Sequence, residues 1–259
     1  MNAALAVCRH ELNAFLDNPG RLVSVAMVPM VLLLFTGLGI EAMLRERASM
    51  EGNFYQKWIL SGVVVLGMLY CAYNVAMGVI AQQKSGQLGI MLLDCRRPWE
   101  LLAGKIMAGL VECVAYGVVV GLFAPLLDVY PNRSEMLLGL LLVGVSALMI
   151  VAWVFCLASF SLHQEQFVMR SQTLTLLALT VGGMFFPITA LRGPWLWLAW
   201  ANPLTYAIDG LRGQVLAGEA FVPVAPLLSY QVDLQTVAGF ALAGMILLAF
   251  RFPRWVGLR

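Results

Sequence analysis

The sequence predicts an all-α membrane protein with six transmembrane helices, and three observations lead to it. The first is composition: 61% of the 259 residues are hydrophobic and 12% charged, with a mean hydropathy of +0.85. A soluble domain is about 45–50% apolar and about 25% charged. This chain therefore has too few charged groups to coat a water-exposed surface around so much apolar volume. The second is a series of long apolar runs, each near the roughly 20 residues that a helix needs to cross about 30 Å of hydrocarbon. The third is a set of helix-breaking prolines, Pro19, Pro98, Pro187, Pro194 and Pro203, which fall between the runs or cut one short. Disorder, a coiled coil and a disulfide scaffold are excluded by the same composition. A net charge of +2 gives no electrostatic footprint for nucleic acid.

Residues 1–18 read as an amphipathic helix. At about 100° per residue, Leu5, Cys8, Leu12, Phe15 and Leu16 share one arc, while Asn2, Arg9, His10, Asn13 and Asp17 take the other. Such a helix lies on a membrane surface and anchors the start of the protein, and contact with a soluble partner is its alternative use. It lacks the short basic region and apolar core of a cleavable signal peptide. Asn18-Pro19-Gly20 then turns the chain into the first span.

Spans are expected at 22–40, 58–81, 106–127, 136–160, 167–187 and 234–250. The fifth is the least regular. Its uncharged part, Thr173 to Phe186, rises only about 21 Å at about 1.5 Å per residue. It therefore needs Arg170 to snorkel, or help from the segment after Pro187. Counting Lys and Arg with the N-terminus inside places Arg9, Arg21, Lys84, Arg96, Arg97, Lys105, Arg170, Arg251, Arg254 and Arg259 on the inner side. Arg45, Arg47, Lys57, Arg133, Arg192 and Arg212 fall outside. Both termini are expected inside on that count.

Polar groups within the spans are few. Glu112, in the third span, should face protein or water, because an acid facing lipid costs at least about 2.5 kcal/mol. It serves either as a structural partner or as a proton relay. Tyr70, Tyr73, Asn74 and Met77 in the second span, and Thr173, Thr175 and Thr180 in the fifth, either line a pathway or hydrogen-bond neighbouring helices. Gly117 and Gly121 form a GxxxG suited to close helix packing. Cys8, Cys71, Cys95, Cys113 and Cys156 show no CxxC pair and read as small buried hydrophobes, so neither a metal nor a cofactor is expected in this chain.

Two connecting stretches carry more information. Between spans two and three, Leu88, Met91, Leu92 and Cys95 recur at helical spacing behind Gly86, giving a short helix at 86–97 that stops before Pro98. Between spans five and six, FFPITALRGPWLWLAWANPLTYAIDGLRGQVLAGE is apolar but broken by Pro187, Pro194 and Pro203, so the chain at 188–217 dips and returns or rests as an external lid. Trp195, Trp197 and Trp200 mark the outer interface. Asn202-Pro203 starts a new helix on which Asp209 and Arg212 neutralise each other.

The stretch Phe186 to Arg212, with FP, PW and NPLTYAIDGLR, together with GQLGIMLLDCRRPWELLAGK in the inner loop, resembles type-2 ABC exporter permeases, especially the daunorubicin-resistance and nodulation-factor branches. The resemblance covers almost the whole chain. It implies an inner-membrane permease that pairs with a second copy of itself and with two cytoplasmic ATPase subunits, which bind ATP and Mg. The helices at 1–18 and 86–97 would then form the ATPase contact, through Arg9, Phe15, Gly86, Leu88, Met91, Leu92 and Arg96. The segment at 188–217 would be an external re-entrant hairpin carrying Pro187, Pro194, Asn202, Pro203, Tyr206, Asp209 and Arg212. The chain departs from the family at Gln83, Lys84 and Gly89, where relatives commonly carry acidic residues around the loop glycine.

The chain's own motifs likewise place the energy source elsewhere. No GxxxxGK[ST] occurs, and Gly104-Lys105 lacks both the earlier glycine and the following Ser or Thr. An exporter path between two copies is expected along spans one, two and five, at Phe35, Tyr70, Asn74, Thr175 and Phe185. Aromatics and hydroxyls with few charges suit an amphipathic drug, lipid or lipid-linked saccharide. The alternatives are an ion- or proton-coupled carrier, which lacks paired intramembrane charges and an internal repeat, and a membrane enzyme, for which no HExxH or GxSxG exists.

Overall fold

The computed structural model describes residues 3–48, 54–95, 97–127, 133–161, 163–216 and 228–255, and among these every regular element is helical. The first is α1 (Ala3–Leu16). A long helix in three joined pieces follows: α2 (Pro19–Val31), a π turn (Leu32–Thr36) and α3 (Gly37–Ala48). Then come α4 (Phe54–Lys84), α5 (Gln87–Asp94), α6 (Pro98–Phe123) and α7 (Arg133–Ala158). The remainder is α8 (Gln164–Val181), α9 (Pro194–Ala201), α10 (Pro203–Val215) and α11 (Tyr230–Trp255).

Five stretches are long and apolar enough to cross a membrane: Val25–Glu46, Phe54–Lys84, Pro98–Leu127, Arg133–Ala158 and Tyr230–Trp255. They match five of the six runs expected from the sequence but extend beyond them. Two polar residues in the extensions find partners in the fold: Glu41 is buried and accepts a 2.6 Å hydrogen bond from the Tyr55 N–H, and Lys105 is buried in an ion pair. α8, the counterpart of the run at 167–187, is not among the five. It starts early, at Gln164, and ends at Val181, where Gly182 and left-handed Gly183 (φ 83°) stop it short of Pro187. The helix expected at 86–97 is shorter too, because Cys95 is already extended ahead of Pro98.

α4 forms the centre. Of its most apolar stretch, 72% is buried inside the protein, more than for any other span, and α2, α6, α7, α8 and α10 pack around it. Small residues permit the close approaches. A methyl group on Gly67 would fall inside the Tyr116 ring of α6, and one on Gly62 would strike Met184. The GxxxG of α6 is half used: a Cβ on Gly117 would lie 2.8 Å from Val143, whereas one on Gly121 meets nothing within 4 Å. α7 and α11 form a second extensive pair, in which the Trp153 indole donates to the Phe240 carbonyl at 3.0 Å.

The first span is interrupted from within. Pro29 lacks an N–H and crowds the carbonyl one turn earlier, and the ladder slips into the wider π pattern just beyond it at Leu32–Thr36. The helix nonetheless continues through the turn, since both flanking residues keep right-handed helical geometry.

Gly67→Ala should destabilise the purified protein by about 1–3 kcal/mol through overpacking against Tyr116, whereas Gly121→Ala should leave it unchanged. Thermal unfolding of the two variants in detergent checks the contrast.

Candidate functional site

At one end of the bundle, α1 lies across the start of α6 and the end of α4. Its buried face is Val7, Cys8 and Glu11 rather than the whole apolar arc, and Leu5 and Leu16 stay exposed. The cause is Glu11, an acid placed on the apolar stripe one turn from Cys8 and from Phe15. Its carboxylate pairs with the Lys105 ammonium of α6, which also donates to the Gln82 side-chain carbonyl of α4. The Gln82 amide returns a 3.0 Å hydrogen bond to Glu11. Burial pushes the Glu11 carboxyl up, but the charge of Lys105 and the hydrogen bonds from Gln82 and Lys105 outweigh it and hold it below its ordinary 4.5. Gly104 completes the dock, because a Cβ there would sit 2.6 Å from the Ala4 carbonyl oxygen.

The sequence alone did not bring this triad together: Lys105 reads there as an inner-side basic residue and as part of an incomplete nucleotide motif. Two signals were present: an acid within the apolar arc of residues 1–18, and a lysine with apolar neighbours one turn away on both sides.

α5 sits at the same end, packed on α4 and α6 and entered through Gly86, whose φ of 79° favours glycine. Leu88 is buried, and Met91 and Leu92 are half-buried against the bundle. These three face inward, because the apolar stripe of a short helix docks on its own core before it can serve a partner. The outward apolar face is Ile90 (65% exposed) and Leu93 (85%). Arg9 is exposed, Phe15 is half-buried on the core, and Arg96 lies outside the described residues.

Within the bundle, Tyr70, Thr175 and Phe185 line one recess of about 160 Å³, bounded by Leu32 at the start of the π turn, Leu66 and Gln172. Tyr73 lines it as well, sharing a 2.6 Å hydrogen bond with the Thr175 hydroxyl. Two other expected lining residues lie outside it. Asn74 donates to the Tyr70 carbonyl at 3.0 Å, one turn back on its own helix, and Phe35 is 75% exposed. Glu112 faces the bundle, 4% exposed, within electrostatic reach of Cys8 on α1.

The opposite end is built by the proline-broken segment. Asn202 caps α10, its side-chain oxygen accepting from the Leu204 N–H at 3.1 Å while its amide donates to the Ala178 carbonyl of α8 at 2.6 Å. Pro187 leads into a short 3₁₀ turn, and Pro194 and Pro203 take first-turn positions in α9 and α10, where a missing N–H costs nothing. Tyr206 donates to the Trp200 carbonyl at 2.7 Å. α10 is buried nearly all round from Leu204 to Arg212, so it is a packed part of the bundle and not a lid resting on it.

Arg212 does more than neutralise Asp209, which lies within electrostatic reach. Its guanidinium covers the Trp58 ring at 3.6 Å and donates to the Gly183 carbonyl at 2.6 Å. Asp209 accepts from the Leu228 N–H at 3.2 Å. The Tyr55 hydroxyl donates to the Phe185 carbonyl at 3.1 Å. The start of α4, the end of α8 and α10 are thus tied together. Asp233 on α11 is fully buried opposite Gly210, and neither of its oxygens has a hydrogen-bond partner among the described residues.

The profile of the ABC-2 type transporter family matches residues 3–216, from the start of α1 to just past the end of α10. The chain belongs to this family. It is a multi-pass membrane protein and the permease component of an ABC transporter. No curated protein matches it. In this ABC-2 permease the family match takes in α1 and the proline-broken segment, which polar contacts tie to α4, and α5, which packs on α4 through its apolar face.

Lys105→Leu should leave the Glu11 carboxylate buried without its counter-charge, at about 3–5 kcal/mol, and release α1 to protease. Glu11→Leu with Lys105→Leu should recover most of the loss. Because the Glu11 carboxyl is held low, the pair's contribution is complete above pH 4.5 and fades as pH falls through the lowered value. Limited proteolysis of α1 against pH reads both effects.

Proposed function

We propose that two copies of this permease form a homodimeric exporter in the inner membrane, powered by two separate cytoplasmic ATPase subunits that bind ATP and Mg. Its cargo is an amphipathic molecule, a drug, lipid or lipid-linked saccharide, moved out of the cytoplasm. The observation that carries this reading is the docking of α1 and α5 at the same ends of α4 and α6, α1 through Glu11, Gln82 and Lys105 and α5 through Leu88, Met91 and Leu92. A push on the exposed face of α5 reaches α4 directly, and α4 carries Tyr70 into the recess with Thr175 and Phe185.

In this reading the end bearing α1 and α5 is cytoplasmic, in line with the excess of Lys and Arg expected there. α8 is the sixth crossing, completed by the chain beyond Gly183, and α9 with α10 is the re-entrant hairpin on the outer side. Copies meet along the exposed apolar faces of α2, the π turn, α3 and α8, which carry Val28, Leu34, Leu38 and Leu176. The recess between those helices then opens into a shared path. Its aromatic and hydroxyl lining supports an amphipathic cargo over a small ion.

The purified chain should show no transport alone and substrate-stimulated ATP turnover once mixed with its ATPase subunit. Proton-driven uptake by the chain alone would instead make it a coupled carrier. Leu93→Asp should abolish ATPase co-purification while leaving thermal stability unchanged, and normal co-purification would remove α5 from the contact. Thr175→Leu, which breaks the hydrogen bond to Tyr73, should change the ranking of transported substrates several-fold without altering assembly. Identical transport of every substrate would misplace the path.

A further inference from the structure

A second and larger hollow lies on the other side of α8. This groove of about 390 Å³ runs between α7 and α8 and is bounded by Trp153, Leu157, Phe160, Leu174 and Leu247 along one part of its length. It is open-sided, since Trp153, Phe160, Leu174 and Leu247 remain 38–52% exposed. The polar side chains that touch it are already engaged: the Thr175 hydroxyl with Tyr73, and Asn202 with Ala178 and Leu204. What it offers an occupant is hydrocarbon surface.

One mouth of the groove differs. Arg170 lies one turn before Leu174 on α8, and Arg251 one turn after Leu247 on the oppositely running α11, so both guanidiniums stand at the same end. Both converge on the last residues of the α7 region. Arg170 donates to the Phe160 carbonyl at 2.8 Å, while Arg251 donates to the Ser159 carbonyl at 3.3 Å and covers the Phe160 ring at 4.0 Å. These carbonyl bonds orient the cations but do not neutralise them. Neither has an ion-pair partner among the described residues, and the buried Nε of Arg251 has no hydrogen-bond partner there.

We propose that this groove is a binding site for an anionic phospholipid of the bilayer, with an acyl chain along Trp153, Leu174 and Leu247 and the phosphate on Arg170 and Arg251. A phospholipid carries both required chemistries in one molecule, at the depth where a basic pocket meets apolar helix surface. A second copy of the chain would have to bring a carboxylate to the same mouth. The proposal rests on the orientation given above only for the leaflet: this end is cytoplasmic, where anionic lipid and the two arginines attract each other.

The test uses the full chain in phosphatidylcholine vesicles that contain a small, equal share of either brominated phosphatidylglycerol or brominated phosphatidylcholine. Bromine quenches tryptophan fluorescence at contact, and the difference between the parent protein and Trp153→Phe isolates Trp153. Quenching of Trp153 by the brominated anionic lipid should exceed that by the zwitterionic one. Arg170→Gln and Arg251→Gln should each weaken the preference about fivefold, and together about thirtyfold, following about 1 kcal/mol per basic residue.

Three outcomes overturn the site: equal quenching by the two lipids, a preference that survives the double substitution, or no quenching of Trp153 by either, the result expected when a second copy closes the groove. Unchanged thermal unfolding of the double variant separates lost binding from lost fold. The vesicles contain neither ATPase nor cargo, so a failed lipid site and a failed transporter reading give separate results. A reversed orientation would show only in surface labelling of an introduced cysteine.

Discussion

Hydrocarbon offers no partner to a charge or to a free peptide group, so such a group within the bundle is costly unless the chain itself supplies the partner. That constraint accounts for the three places where the helices depart from simple apolar rods. Lys105 enters the start of α6 only because Glu11 and Gln82 meet it there. Arg212 enters the bundle on α10 only because the helix break at Gly182-Gly183 frees a carbonyl for it and Trp58 supplies a ring. Chain breaks around Pro187, Pro194 and Pro203 survive because 3₁₀ turns, the Asn202 cap and the hydroxyls of Thr205 and Tyr206 satisfy the exposed groups.

The same constraint decides what could be read from the sequence. Five spans were legible as apolar runs because a bilayer imposes length and composition residue by residue, and α10 was legible because Asn202-Pro203 is a local start signal. Lipid makes one side chain as acceptable as another on an outward face, so hydropathy could not say which face of a span meets protein. Hydropathy thus did not report that Phe35 stands exposed outside the recess that Tyr70 and Thr175 line, or that Leu88 packs inward. Polar partners distant in sequence were hidden for a different reason. The pairing of Glu11 with Lys105 joins positions 94 residues apart, and no local period reports it.

Of the two ends, the one bearing α1 is held by charge and the other by carbonyl and ring contacts, and the difference has mechanical consequences. The Glu11–Lys105–Gln82 knot joins three helices at a single point, so α1, α4 and α6 resist separation but can turn together. The contacts at the opposite end are spread over Tyr55, Trp58, Gly183, Phe185 and Arg212, and they fasten the end of α8 to the start of α4.

The recess sits between walls of unequal stiffness. α4 supplies Leu66, Tyr70 and Tyr73 from an uninterrupted helix buried on most sides, and a close-packed element of that kind moves as a rigid body or not at all. The facing walls are interrupted. α2 carries Pro29 and gives way to the π turn at Leu32, which itself lines the recess, and α8 stops at Gly182-Gly183 just before Met184 and Phe185. Widening the recess by bending α4 would break a continuous hydrogen-bond ladder and its packing, whereas displacing the other two walls draws on joints that are already open. The recess thus has one continuous wall, which carries Tyr70 and Tyr73, and two walls with joints, at Leu32 and at Gly182-Gly183.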